Sequence, residues 1–295
     1  MSVPGRPDIG VSLYDHGATD TVALALAAEE LGFTSVWLGE HVVVPMAPSA
    51  DHPYRPRDDP PILGPESRLF DLFTVIGAIG ARTQRLTVAT GIYLLPLRSP
   101  VLTALAAATA QELTDGRFCL GVGSGWLPEE FEALGVPFAR RGALLDEYID
   151  VVRAALAGGA FEHHGDAVDI GPVQVTREPV GLPIVIGGVT ERAVRRAALR
   201  GDGWYNPSTT SLSECARLRD RIEALRRELG RTERPFTYHI RMAGHPDPEL
   251  VARYVEAGFT NLSVSGHELW PRALSLSLDD KLNRLHRLAG ELGLG

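Results

Sequence analysis

The sequence predicts an α/β chain folded as a (β/α)₈ barrel, and three observations carry that expectation. Eight short apolar runs recur along the 295 residues, helical patterns separate them, and the joint that opens the chain is echoed near its end. In the first joint Glu30-Leu31-Gly32-Phe33-Thr34 enters SVWLG, and in the second Glu256-Ala257-Gly258-Phe259-Thr260 enters NLSVSG. Each reads as a helix end, a glycine stop and a buried strand. A doubly wound sheet is the rival arrangement, because alternation alone does not say how the sheet closes.

Taken in order, residues 9–13 read as the first strand, followed by a helix capped by Thr19 or Asp20 and stopped by Gly32. Residues 34–38 (TSVWL) are β-branched and aromatic, which suits a strand buried on both faces. Further strands are predicted at 85–92, 117–122, 183–186, 203–205 and 236–242, with NLSVSG as the eighth. Helices are predicted at 100–113, 143–156, 190–199, 212–229, 248–257 and 278–292. Leu144, Leu145, Tyr148, Val151, Val152 and Leu156 form one apolar stripe on the second of these.

Two insertions, after strands 2 and 4, interrupt a chain otherwise read as a single barrel domain. Residues 41–70 carry Pro45, Pro48, Pro53, Pro56, Pro60, Pro61 and Pro65 and are read as a substrate-side loop, since long loops without secondary structure are usually functional or disordered. Residues 161–179 (FEHHGDAVDIGPVQVTREP) are read as a small β insertion on the side where the active site opens.

The charge balance excludes some partners. With 29 basic against 37 acidic side chains and a net charge of -8, the chain is not expected to grip nucleic acid or an anionic membrane. A small-molecule partner is expected instead. Only Cys119 and Cys215 are present, which fits a reducing compartment. Pro4, Pro7, Asp8 and Asp15 break the start where a signal peptide needs an apolar stretch. A cytoplasmic protein is the expectation.

The densest glycine signal, Gly121-Val122-Gly123-Ser124-Gly125-Trp126, fails as a dinucleotide motif because Trp126 stands where the third glycine is needed. It also fails as a nucleophile elbow around Ser124. Cys119, Gly121 and Gly123 do share one strand face, and that small-residue face either packs tightly or admits a flat ring. Gly187-Gly188-Val189-Thr190 ends a strand and opens a helix, where unblocked backbone N–H groups suit a phosphate; the same glycines also suit a plain turn. The arginines that follow, Arg192, Arg195, Arg196 and Arg200, read mostly as a solvated face, with Arg192 near enough to help an anion. Glu40-His41 follows the second strand, where barrel enzymes place chemistry, and His41 is suited to proton transfer near neutral pH. His163-His164 point opposite ways on a strand, and no metal-ligand spacing occurs, so no metal is expected.

As a linked set, SVWLGEHVVVP, the stretch from RLTVATGIYLLPLRSP through GVGSGWLPEEF, and PIVIGGVTERAVRRAALRGDGWYNP resemble the bacterial luciferase-like family, in particular its members that use the deazaflavin F420. The resemblance implies a non-prolyl cis peptide at Gly91-Ile92 behind the cofactor ring. It implies a phosphate turn at Gly187, Gly188, Val189 and Thr190, and Gly121, Gly123 and Ser124 are taken as further cofactor-binding candidates. It also implies catalytic roles for His41 and Glu40 beside the ring. Trp126 and Pro45 depart from the sugar-phosphate dehydrogenases of the family, which have Glu and Trp there, so sugar-phosphate oxidation is not expected. Substrate choice is expected from residues 45–68 and from Trp126, Tyr205 and Asn206. The leading expectation is an F420-dependent hydride-transferring enzyme, with an FMN-dependent monooxygenase and a flavin-binding barrel without turnover as alternatives. A homodimer is expected.

Overall fold

A computed structural model describes residues 7–46, 63–207, 210–271 and 273–295. The elements in chain order are β1 (Asp8–Leu13), α1 (Ala18–Glu30), β2 (Ser35–Leu38), α2 (Leu72–Gly80), β3 (Thr87–Thr90), α3 (Pro100–Leu113), β4 (Phe118–Val122), α4 (Pro128–Ala133), α5 (Arg141–Leu156), β5 (Ala160–His164) and β6 (Asp169–Gln174). They continue with β7 (Ile184–Gly187), α6 (Glu191–Arg200), β8 (Gly203–Tyr205), α7 (Leu212–Glu228), β9 (Thr237–Arg241), α8 (Pro248–Glu256), β10 (Asn261–Val264), α9 (Gly266–Leu269) and α10 (Leu278–Glu291). Eight parallel strands close in the order β1-β10-β9-β8-β7-β4-β3-β2. This is the (β/α)₈ barrel, and closure disposes of the doubly wound alternative.

The strand alternation divides two cores. On β4, Phe118, Leu120 and Val122 point outward and join the large cluster that the helices cover. Cys119 points inward, among Trp37, Ala89, Val185 and Tyr205, with Ile92 packed against them. A barrel interior filled by side chains is packed core rather than pore. Gly121 belongs to that interior: a Cβ there would run into the Thr90 carbonyl oxygen. The Thr90 hydroxyl and the Tyr93 amide both donate to the Gly121 carbonyl, each at 2.7 Å.

Three local expectations are corrected. Helix α1 is capped by Gly17, whose φ of 77° suits glycine, and not by Thr19 or Asp20; Asp20 is instead 2.6 Å from Lys281. Helix α2 falls where the sequence reading placed nothing, because LFTVIGAIG is short and apolar almost throughout, although Leu72, Val75, Ile76 and Ile79 bury one stripe; Asp71 caps it by accepting from the Thr74 amide at 2.8 Å. The insertion at 161–179 does form a two-stranded antiparallel hairpin, β5–β6. It follows α5 and precedes β7, however, so it lies at the N-terminal end of the barrel strands, opposite the side where chemistry is placed. Glu147 of α5 ties it down by accepting from the Ala167 and Val168 amides at 3.0 and 2.8 Å.

Of the long segment at 41–70, residues 47–62 lie outside the described residues. Among the described residues no helix is long and apolar enough to cross a membrane.

Candidate active site

A cavity of about 1270 Å³ opens at the C-terminal ends of the strands, where barrels carry chemistry. Its walls include Glu40, His41, Gly91, Ile92, Gly123, Ser124, Trp126, Gly187, Gly188, Thr190, Tyr205 and Asn206, twelve of the fourteen residues singled out from sequence. The other two, Gly121 and Val189, do not line it: Gly121 packs inside the barrel, and Val189 packs against the outer core.

Beyond β3 the chain crosses toward β4. The peptide between Gly91 and Ile92 is cis. The Gly91 amide donates to the Leu38 carbonyl at 2.7 Å, the Tyr93 amide to the Gly121 carbonyl at 2.7 Å, and the Gly123 amide to the Tyr93 carbonyl at 3.1 Å. These bonds aim Ile92 between two glycines. A Cβ on Gly123 would collide with Ile92 Cδ1, and one on Gly187 would stand 2.7 Å from Ile92 Cγ2. The small residues therefore make room for Ile92, and Ile92 forms the wall; the sequence reading had offered Gly123 itself to the ring.

Glu40 and His41 adjoin in sequence but serve different partners. The Glu40 carboxylate accepts from the Leu94 amide at 2.7 Å and from both Arg98 terminal nitrogens, at 3.2 and 2.5 Å. Burial pushes its carboxyl up to about 7, with the Arg98 guanidinium and the Leu94 N–H pulling the other way. His41 turns to Glu130 of α4, with Nδ1 3.1 Å from Oε2, although that contact is not aligned as a hydrogen bond. Glu130 is fully buried, and its other oxygen accepts from the Val42 amide at 2.7 Å. The imidazole edge meets Tyr14 and Trp126, with ring centroids at 6.2 and 5.9 Å.

Sequence reasoning missed Tyr14, Arg98 and Glu130. Nothing local separates Glu130 from Glu129 in the run LPEEFEAL, and only the barrel brings α4 beside β2. The Tyr14 hydroxyl is buried on the cavity wall with no hydrogen-bond partner among the described residues. Burial, with Asp15 and Glu130 nearby, keeps it protonated well above the usual phenol range.

At the far wall the Gly188 amide donates to the Tyr205 carbonyl at 3.2 Å, and the Gly188 carbonyl accepts from Trp204 Nε1 at 2.7 Å. That glycine, with φ of 115°, is spent on fixing the turn. The amides of Val189, Thr190, Glu191 and Arg192 meet no protein acceptor among the described residues. Thr190 caps α6 by accepting from the Ala193 amide at 3.3 Å, which leaves its hydroxyl proton to donate. Backbone N–H groups left open at a helix N-terminus suit an anion. Tyr205 stacks on Trp37 at 4.4 Å. The Asn206 amide group is engaged by the Arg241 carbonyl and amide at 3.0 and 2.7 Å, so it ties β8 to β9. It also lies on the cavity wall, where a substrate contact was expected of it.

The model of the luciferase-like monooxygenase family matches residues 2–289. An uncharacterized protein of Mycobacterium tuberculosis is 35% identical over 255 residues, covering 85% of this chain and 87% of that one. Among solved structures, an F420-dependent secondary alcohol dehydrogenase in complex with an F420-acetone adduct superposes with a TM-score of 0.75 at 16% identity, over 97% of this chain and 99% of that one. The monooxygenase RslO1 from Streptomyces bottropensis superposes with a TM-score of 0.74 at 18% identity, over 97% and 98%.

Proposed function

The chain belongs to the luciferase-like monooxygenase family, and from its site we propose that it is an F420-dependent oxidoreductase acting on a small carbonyl or unsaturated compound. The residues fit a tricyclic ring that carries a phosphate. Ile92, Ser124 and the backbone of Gly123 offer a flat wall, and the free amides from Val189 to Arg192 with the Thr190 hydroxyl offer the anion site. When bound, the deazaflavin supplies two electrons as a hydride.

The observation that carries the reading is the buried His41–Glu130 pair on the cavity wall. Hydride addition to a carbonyl leaves an oxyanion that needs a proton, and hydride removal from an alcohol needs a base. His41 performs either task from Nε2 while the Glu130 carboxylate compensates charge at Nδ1. Trp126 and Tyr14 edge the imidazole and exclude water, and the Tyr14 hydroxyl is available to orient a substrate oxygen. Glu40, held by Arg98 and Leu94, fixes the wall from behind and takes no part in proton transfer.

The deciding experiment titrates the purified protein with F420 and with FMN, each oxidised and reduced, by fluorescence. Tight F420 binding with negligible FMN binding is expected. A preference for reduced FMN, with oxygen uptake, establishes the monooxygenase reading instead. His41→Ala is expected to abolish turnover and retain cofactor binding, which a barrel without turnover does not predict.

The second copy expected of this chain is assigned to helix α3, which leaves Leu102 and Leu105 exposed at 66% and 52%.

A further inference from the structure

A half-buried guanidinium on the cavity wall has no partner. Arg241 closes β9, and Ile240 before it and Met242 after it turn outward into the core that the helices cover, so its own side chain faces the barrel mouth. Its Nε is buried without a hydrogen bond, and neither terminal nitrogen meets an acceptor or a carboxylate among the described residues. We propose that Arg241 binds a carboxylate of the substrate, so that the small carbonyl or unsaturated compound is an acid; the proposal rests on the function proposed above.

The other charges on this cavity are matched or solvated. Arg196 and Arg200 meet Asp146 and Asp150 at 2.7 and 3.0 Å, Arg192 and Arg195 are exposed, and Glu40 is taken by Arg98. Glu268 lines the cavity from an exposed position on α9 and makes no ion pair with Arg241. A buried N–H without an acceptor costs free energy until a ligand supplies one. The planar fork of a guanidinium matches the two oxygens of a carboxylate. One guanidinium also balances one negative charge, which a carboxylate carries and a phosphate dianion exceeds.

The fold holds this group in place on the side of the mouth that suits a substrate. Asn206 accepts from the Arg241 amide at 2.7 Å and donates to its carbonyl at 3.0 Å, which fixes the backbone from which the guanidinium projects. The guanidinium carbon lies 5.6 Å from the centre of the Tyr205 ring, itself stacked on Trp37, so an aromatic floor supports it. In the closed barrel β9, β10, β1 and β2 are consecutive, and this arc carries Arg241, Tyr14 and His41. Ile92, Ser124 and the glycine turn belong to the other arc, beyond β3, β4 and β7. The guanidinium therefore shares its arc with His41 and stands apart from the wall proposed for the cofactor ring.

The test is calorimetric titration of the protein, cofactor-free and after incubation with F420, using pyruvate, 2-oxohexanoate and cinnamate, each against its methyl ester. Arg241→Met and Arg241→Lys are measured alongside, with thermal melts. The acids are expected to bind about 30-fold or more tightly than their esters, the effect of removing one partner of a desolvated charge pair. In Arg241→Met the difference is expected to vanish, and in Arg241→Lys part of it returns. Arg241→Met is expected to melt no lower than the wild type, since no protein partner is lost, whereas an arginine retained for structure would lower the melting temperature. Equal binding of acid and ester, no acid binding at millimolar concentration, or acid binding that survives in Arg241→Met overturns the subsite and leaves the cofactor reading standing. If Arg241→Met does not fold, the acid and ester comparison in the wild type and in Arg241→Lys decides the matter. Uptake of FMN and not of F420 overturns the function proposed above and the substrate class that rests on it.

Discussion

Glu130 faces His41 across 3.1 Å, while Glu40, its neighbour in sequence, turns back to Arg98. Two buried carboxylates thus divide two tasks: one sits beside the imidazole proposed to move protons, and the other is locked into the scaffold. The division is geometric, because the chain at the end of β2 sends successive side chains in opposite directions.

Removing the charge of Glu130 isolates the first task. Glu130→Gln keeps an acceptor for the Val42 amide, so folding and cofactor affinity are expected to hold. kcat is expected to fall about 10- to 100-fold with little change in KM, since general acid–base work contributes about 10²- to 10⁴-fold in all. Glu130→Asp is expected to recover part of the rate. Stopped-flow reduction of the deazaflavin checks this, and a variant with wild-type kcat would remove Glu130 from the mechanism.

The second task is read by stability. Arg98→Met leaves the Glu40 carboxylate buried without its counter-ion, a change that costs about 3 kcal/mol or more when the carboxylate is ionised. Glu40 has its carboxyl raised from 4.5 to about 7. A raised acid contributes stability that is full below its ordinary value and is lost as pH rises through the folded value. The cost of Arg98→Met is therefore expected to be small near about pH 5, where Glu40 is mostly protonated, and large near about pH 8. Urea denaturation at both pH values measures it, and a pH-independent cost would show that the clamp is not electrostatic.

How much of this was legible in the sequence follows from what each signal depends on. All eight barrel strands were visible as short runs: those buried on both faces are marked by apolar composition alone, and β9, where only Ile240 is buried, by its β-branched and aromatic residues. Helix α2 was not, because its nine residues are apolar almost throughout and the stripe Leu72, Val75, Ile76 and Ile79 has no charged face opposite to set it off. The glycine turn before α6, with its open amides, was readable since its geometry is local backbone. The partner of His41 was not, because it comes from another element; neither were Tyr14 and Arg98, whose orientation depends on closure of the barrel. Asn206 has the residue type of a substrate contact, yet its hydrogen-bonding groups are used by Arg241.

The wall formed by Ile92 makes a separate prediction. Gly123→Ala puts a methyl group where Ile92 Cδ1 lies. The isoleucine, which lines the cavity, would have to shift to make room. Stability is expected to fall by about 1–3 kcal/mol, the usual cost of overpacking. Affinity for the deazaflavin ring is expected to drop, while affinity for inorganic phosphate at the turn is unchanged. Calorimetric titration with both ligands separates the two effects, and loss of phosphate binding would refute the wedge.

His16 sets an acid limit on the fold. It is buried against Trp270 at 4.7 Å with neither ring nitrogen hydrogen-bonded among the described residues, and burial, with Lys281 and His267 near, lowers it to about 3 against the opposing charge of Asp20. A depressed base contributes stability that is present above its ordinary value of 6.5 and is lost as pH falls toward about 3. His16→Phe keeps an aromatic ring on Trp270 and is expected to be as stable as the wild type near neutral pH. Near about pH 4.5 it is expected to be more stable by about 2 kcal/mol. Thermal melts across that range decide it, and parallel pH profiles for the two proteins would clear His16 of the role.

Helix α3 carries the last prediction. Leu102, Leu105 and Leu113 are exposed at 66%, 52% and 46%, although the same helix buries Ala104, Ala107 and Ala110 on its other side. Leucines three residues apart present one face, and a two-fold axis beside α3 would set each leucine pair against its copy. A stable interface needs about 800 Å² from each partner, more than one helix supplies, so neighbouring α2, which packs on α3, is expected to contribute. Sedimentation is expected to give twice 31.8 kDa for the wild type. Leu102→Glu/Leu105→Glu is expected to give monomers, because each charge would be buried against its own copy. A monomeric wild type at micromolar concentration would remove the dimer, and a dimeric variant would move the interface off α3.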